Sequence, residues 1–284
     1  GGVLLIRPGT YPMRNALYLR PGLAVRGAGE GTVLRKSAST CTPLTRDTDW
    51  YEYGVTVADP AGFAPGVGIM LRSYDDKGGL REVVRRMVVA VDGHELTLNR
   101  RPEKNFWLED RATAATLFPL LTADEGVCDV AVEDLVLDGN RGQNEEINGN
   151  YAGAVFLQQC HRYTFADVTA RGYCGDGFSF QICDDVHFDR CRAEDNANLG
   201  FHPGSGSQRP VFRHCVARGN SQGIFFCWGV THGRVEGCDC SDNRDFGISI
   251  GHRDTDNRIA DTRLAGNHRV GLLFSAPRTQ SARS

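Results

Sequence analysis

Between Tyr173 and Asn267 the sequence repeats itself. Asn196, Asn220, Asn243 and Asn267 follow Tyr173 at spacings of 23, 24, 23 and 24 residues, and Asn140 opens the same series upstream. Five residues before each member lies a column of Leu135, Val168, Cys191, Cys215, Cys238 and Thr262. Eight before lies a second column of Val132, Phe165, Phe188, Phe212, Val235 and Ile259. After each turn comes a glycine and an apolar, variable, apolar triplet, from Ala154-Val155-Phe156 through Phe178-Ser179-Phe180 to Leu272-Leu273-Phe274.

Period two inside each unit describes short strands with one buried face. A unit this short cannot bury that face alone and must stack on its neighbours. The expected fold is all-β: a single-stranded right-handed parallel β-helix, a solenoid in which the Asn column is a turn ladder of side-chain amides. A leucine-rich horseshoe would need Leu at most inward positions and a helix per repeat, and neither is present. The 34 glycines and only 3 methionines agree with many turns and short strands.

We read residues 1–284 as one β-helix domain: first coils over 1–41, an irregular β-rich insertion over 42–127, regular coils of 23–24 residues over 128–274 and a polar tail over 275–284. The insertion holds candidate strands near Gly54 to Val57, Val67 to Arg72, Val83 to Val91 and Glu95 to Asn99, the last two joined by a turn at Asp92-Gly93. Gly153 comes 13 positions after Asn140 where other coils need 3 or 4, so a loop protrudes there and carries Tyr151. Glu145 and Glu146 read as solvated residues of that loop. The chain opens at Gly1-Gly2-Val3, as a processed or trimmed fragment would. An open C-terminal edge near Phe274 is a place for the tail or for another chain to pair, hence for oligomerisation.

The net charge of -3, without a long basic block, argues against nucleic acid as a partner. No apolar run approaches the roughly 18 residues that cross a membrane. The cysteines of the repeated column read as small buried hydrophobes, Cys227 faces outward by parity, and no C-x-x-C pair suggests zinc.

Parity points the middle residue of each triplet outward: Val155, Ser179, His202, Phe225, Ser249 and Leu273, a strip about 24 Å long at the spacing of stacked strands. Just beyond it, "QICDDV", "HPGSGSQRP", "CWGVTHG" and "GHRDTDN" leave four consecutive coils at one height. Asp184, Asp185, Ser205, Gln208, Arg209, Trp228, His232, His252, Arg253, Asp254 and Asp256 are expected to converge there, with Gln181 beside them. Against this stands turn chemistry: Asp184-Asp185, Asp256 and Asn257 are residue types that satisfy turn amides, and Arg253 has Asp254 and Asp256 as neighbours.

The stretches "GGVLLIRPGTY" and "LYLRPGLAVRGAGEGTVL" resemble the first coils of the pectate-lyase-like superfamily of β-helix proteins. "HPGSGSQRP", "FFCW" and "GISIGHRDTDN" resemble a bacterial subgroup described by its repeats. The resemblance implies an extracytoplasmic protein acting on polysaccharide, usually acidic, as lyase, hydrolase, C5-epimerase or phage depolymerase. Elimination from a uronate needs its carboxylate neutralised, by Arg or a calcium ion, and a base at the C5 proton. His202 or His252 as base, Arg253 as carboxylate partner and Tyr151 as acid supply these parts, with Trp228, Phe225, Gln181, His232 and Arg209 lining the sugar. Hydrolysis needs two carboxyl groups instead, for which Asp176, Asp184, Asp185 and Asp254 are candidates. "GDG", "DD" and "GISIG" resemble the polygalacturonase pattern, whereas the Asp-Pro-His motif of the alginate epimerases is missing. The preferred expectation is a lyase of uronate-containing glycan; a hydrolase and a non-catalytic glycan-binding β-helix are the alternatives.

Overall fold

A computed structural model describes residues 1–275, and the chain is a right-handed parallel β-helix. One long face is an eight-stranded parallel sheet: Leu17–Leu19, Leu121–Ala123, Gly153–Gln158, Asp176–Gln181, Leu199–Pro203, Gln222–Phe226, Phe246–Ile250 and Val270–Phe274, in that spatial order. The remaining strands of each coil join a 12-stranded sheet that closes the tube. Among the described residues no helix is long and apolar enough to cross a membrane.

The repeated columns are the inner ladders. Val132, Phe165, Phe188, Phe212, Val235 and Ile259 lie opposite one another in register. Phe188 stacks between Phe165 and Phe212 at centroid distances of 5.1 and 5.2 Å. Phe178 and Phe201, stacked at 4.9 Å, present their edges to it from the opposite sheet. Cys191, Cys215 and Cys238 are buried, and all ten cysteines are free.

The Asn column forms the expected ladder. Asn196 Nδ2 donates to Asn220 Oδ1 at 3.0 Å, Asn220 to Asn243 at 3.3 Å and Asn243 to Asn267 at 3.1 Å. The Tyr173 amide closes the series on Asn196 Oδ1 at 2.9 Å. Each amide also donates to a backbone carbonyl, so buried turn groups are satisfied coil after coil.

Another corner explains part of the charged sequence. Asp129, Arg162, Asp185, Arg209, His232 and Asp256 occupy equivalent turns with φ between 55° and 61°. In this left-handed region a single residue turns the chain between faces, and Asp is one of the non-glycine types that tolerate it best. Arg162 pairs with Asp129 at 2.6 Å and Arg209 with Asp185 at 2.8 Å, so neighbouring coils are also joined by charge.

Two features differ from expectation. Gly153 lies opposite Asp176, so Val155 pairs with inward Phe178 and it is Phe156, beside Ser179, that faces outward. The long loop ahead of Gly153 had hidden this one-residue shift, which reverses the face of every residue in a strand. In the insertion, Asp92 pairs with Glu95, so the two-residue hairpin turn is Gly93-His94, with Gly93 at φ 55°.

The insertion leaves the helix after strand Thr32–Lys36 and returns at Leu121–Ala123. It is a six-stranded antiparallel sheet in the order Cys41–Pro43, Thr113–Ala115, Gly68–Tyr74, Leu80–Asp92, Glu95–Leu98 and Gly54–Thr56. Val55, Ile69, Leu71, Val88, Leu96 and Phe106 give it a core of its own, while Met70 and Ala115 turn toward the core of the helix. The loop 139–152 departs from the same corner one coil later. Glu145 of that loop is not free in solvent: it takes both ends of the buried Arg72 guanidinium at 2.9 and 3.0 Å, tying loop to insertion.

Val3 and Leu5 on the first strand and Phe274 on the last are 65%, 67% and 68% exposed. The expected polar tail lies, from residue 276, outside the described residues.

Candidate functional site

The outward strip begins earlier than its sequence signature. Tyr18, Thr122, Phe156, Ser179 and His202 stand in register across five coils. Over the first three of these the insertion closes to form a cleft of about 720 Å³. Tyr18, Thr122, Phe156 and Gln158 form its floor, Arg85, Arg86, Arg100 and Lys104 its basic wall, and Asn150 and Tyr151 its rim. That volume lies within the range of small-molecule binding sites.

The four cations are not equivalent. Arg86 approaches Glu103 at 3.4 Å and donates to the Arg101 and Pro102 carbonyls at 2.8 Å each. Arg100 faces Asp124 at 3.6 Å and Lys104 faces Glu82 at 3.2 Å. The Arg85 guanidinium lies 4.0 Å over the Phe156 ring and donates to the Tyr151 carbonyl at 2.7 Å, with no ion pair to a carboxylate among the described residues. Desolvation pushes its pKa down to about 10, so it remains charged at neutral pH. A desolvated cation without a carboxylate is costly and is suited to an anionic ligand. Burial raises the Tyr18 pKa against the pull of Arg85 and Arg100, keeping the phenol protonated.

Of the side chains singled out in the sequence, Tyr151 alone lines this cleft. The others fall into separate groups. Asp176 and His202 form a buried pair, Oδ2 to Nδ1 at 2.7 Å, under the loop 148–151. Ser179 Oγ there donates to the Gly149 carbonyl at 2.7 Å, Gln181 accepts from the Ser205 amide at 3.0 Å, and Phe225 stacks on His202 at 5.7 Å. The outward strip is therefore covered at Ser179 and His202.

The four loops do stack: Ile182 N donates to Ser205 O, Gly206 N to Trp228 O and Gly229 N to His252 O. Within them, Trp228 meets His252 edge to face at 5.0 Å, and Arg253 lies 5.6 Å from the Trp228 ring. Asp254 accepts from the Val230 and Gly251 amides at 2.7 Å each, the turn role that its residue type allows. Burial raises its pKa while those amides pull it down. Asp185 is bidentate with Arg209, which holds its carboxyl below the usual range. Asp184 lies 3.5 Å from His161 and 3.8 Å from Arg209. His232 Nδ1 meets Thr231 Oγ1 at 2.9 Å.

Sequence reading passed over Tyr18, Arg85, Arg86, Arg100 and Lys104 because they do not repeat. The available signal was "REVVRR" followed by "RRPEK", a basic concentration over 81–104 in a chain of net charge -3. Among the described residues no group of three or more His, Cys, Asp or Glu is placed to hold a metal ion. The cleft's cations are its own arginines and lysine.

The buried pair makes stability depend on pH. Burial opposes charge on His202, but the Asp176 carboxylate and the Cys227 thiol outweigh it and raise the pKa to about 9. The folded imidazole thus holds its proton more tightly than the unfolded one, near 6.5. The resulting stabilisation is complete below about pH 6.5 and is lost as pH rises through about 9. Urea midpoints should fall over that window, with a smaller fall for Asp176→Asn; parallel curves for the two proteins would contradict the linkage.

The family described as right handed beta helix region matches residues 152–279. The A-module of the Azotobacter vinelandii mannuronan C-5 epimerase AlgE6 is similar in structure, with 15% identity and a TM-score of 0.50, over 96% of this chain and 64% of that one. The AlgE4 A-module from the same organism gives 15% and 0.49, over 96% and 68%. The gp54 tailspike of Acinetobacter baumannii bacteriophage AP22, solved with a capsular saccharide, gives 13% and 0.30, over 90% and 53%. No curated protein matches the sequence. The chain spans just under two thirds of the AlgE6 module, and at this identity the likeness is one of fold. With its inner ladders, Asn-lined corner and stacked parallel strands, the chain is a right-handed parallel β-helix.

Proposed function

We propose that this β-helix acts on an acidic polysaccharide held in the cleft beneath the insertion, cleaving it by β-elimination next to a uronate. The observation that carries this reading is Arg85: a charged guanidinium without a carboxylate partner among the described residues, stacked on Phe156 at the floor of a cleft that also holds the phenols of Tyr18 and Tyr151. A uronate carboxylate on Arg85 loses its negative charge to the pair, which acidifies the neighbouring C5 proton. Tyr18, protonated at neutral pH, supplies the proton to the departing glycosidic oxygen. Candidates for the base at C5 are Tyr151 and Glu125, whose separate replacement by Phe and by Gln distinguishes them.

Hydrolysis is the second reading, favoured by Asp124 and Glu125 in the same cleft; Glu125 accepts from Gln158 at 2.6 Å. It uses carboxyl groups other than Asp176, Asp184 and Asp185, which are engaged by His202, His161 and Arg209. The AlgE6 module is a mannuronan C-5 epimerase, and epimerisation would begin with the same proton abstraction.

The test is incubation with acidic and neutral polysaccharides, with and without calcium, following the ultraviolet absorbance of unsaturated product together with new reducing ends. Elimination is expected to give both signals from a uronate polymer. Reducing ends alone would replace elimination by hydrolysis. Binding without either signal would overturn both cleavage readings, and solvent deuterium at C5 would then identify an epimerase.

A further inference from the structure

The cleft leaves one chemically organised group unused. Asp176 and His202 are 1% and 4% exposed, and the carboxylate is fixed at both oxygens: Oδ1 accepts from the Leu199 amide at 3.0 Å and Oδ2 meets His202 Nδ1 at 2.7 Å. With Nδ1 held there, Nε2 is directed away from Asp176. It is buried and makes no hydrogen bond, an uncommon state for a ring nitrogen.

The next coil supplies what stands before it. Phe225 stacks on the imidazole, and Cys227, two residues further along the same outward side, is anchored through its amide to the Pro203 carbonyl at 3.1 Å. Its side chain lies on the outward side that His202 and Phe225 share, and together with Asp176 the thiol favours the proton on His202. Cys227 is partly exposed, whereas Cys215, Cys238 and Cys240 are buried.

We infer that Cys227 is a nucleophilic thiolate, with His202 as the imidazolium that stabilises it and Asp176 as the carboxylate that holds that imidazolium, forming a site that captures carbon electrophiles covalently. An imidazolium held by a carboxylate beside a thiol is an arrangement that makes sulfur nucleophilic on unrelated folds. The thiol proton is lost to solvent beside the imidazolium, and in the step the sulfur lone pair forms a bond to the electrophilic carbon. The bond from that carbon to its leaving group breaks, and the leaving group departs with the electron pair. The imidazolium that remains is held by Asp176. This inference does not depend on what the cleft binds.

The probe is iodoacetamide, which alkylates sulfur with loss of iodide, applied briefly to the folded protein and read by peptide mass spectrometry. Exposed Cys41 and half-buried Cys128 are internal references. Cys227 is expected to react about tenfold faster than either, and His202→Asn or Asp176→Asn to remove that advantage while leaving Cys41 unchanged. A Cys227 rate in the wild type no greater than that of Cys128 would overturn the inference, even if neither variant folds. An unchanged advantage in folded variants would do the same.

Discussion

Arg85→Gln should lower kcat/KM on a uronate glycan about 100-fold, the usual effect of removing one preorganised partner of developing negative charge. The substituted amide can still reach the Tyr151 carbonyl and lie on Phe156, so the change falls mainly on charge. The same variant should melt at or above the temperature of the parent, because a desolvated guanidinium without a carboxylate opposes folding. Activity and stability are thus expected to move in opposite directions. Initial rates and thermal melts on one preparation check both. A stability loss that accounts for the lost activity would return Arg85 to a structural role.

Phe188→Ala should be the most damaging single change in the regular coils, costing about 3–5 kcal/mol. Phe188 is buried and touches rings from three directions: Phe165 below, Phe212 above, and the edges of Phe178 and Phe201 from the facing sheet. A cavity there interrupts the stack between coils, and in a solenoid each coil is stabilised chiefly by its neighbours. Urea denaturation followed by circular dichroism measures the loss. Phe225→Ala, on the outer face and partly exposed, should cost well under half as much.

The contrast marks what a single sequence reveals here. The helix was legible because every coil must present the same inward shapes, so Phe165, Phe188 and Phe212, and the Asn ladder, recur at the interval of one coil. Register failed at Val155, where a long loop breaks the counting, and at Gly93-His94, where Asp92 proved to belong to the strand. The stacking of the four loops was also legible. Their chemistry was not, because Asp, His and Arg at left-handed turns look the same in sequence as they do in a binding site. The cleft itself arises when Arg85, far along the chain from Tyr18 and Phe156, folds back over them, and no periodicity encodes that contact.

Both walls facing the strip, the insertion and the loop 139–152, leave the tube at one corner of adjacent coils, and the strands on either side of each departure stay paired. The tube is thereby a fixed track with an exchangeable hood. Whole segments between Lys36 and Leu121 can be lengthened, shortened or traded while the ladders beneath keep their bonds. Ligand preference along such a lineage would shift by replacement of the hood, with the coils beyond Asn196 preserved as its mounting.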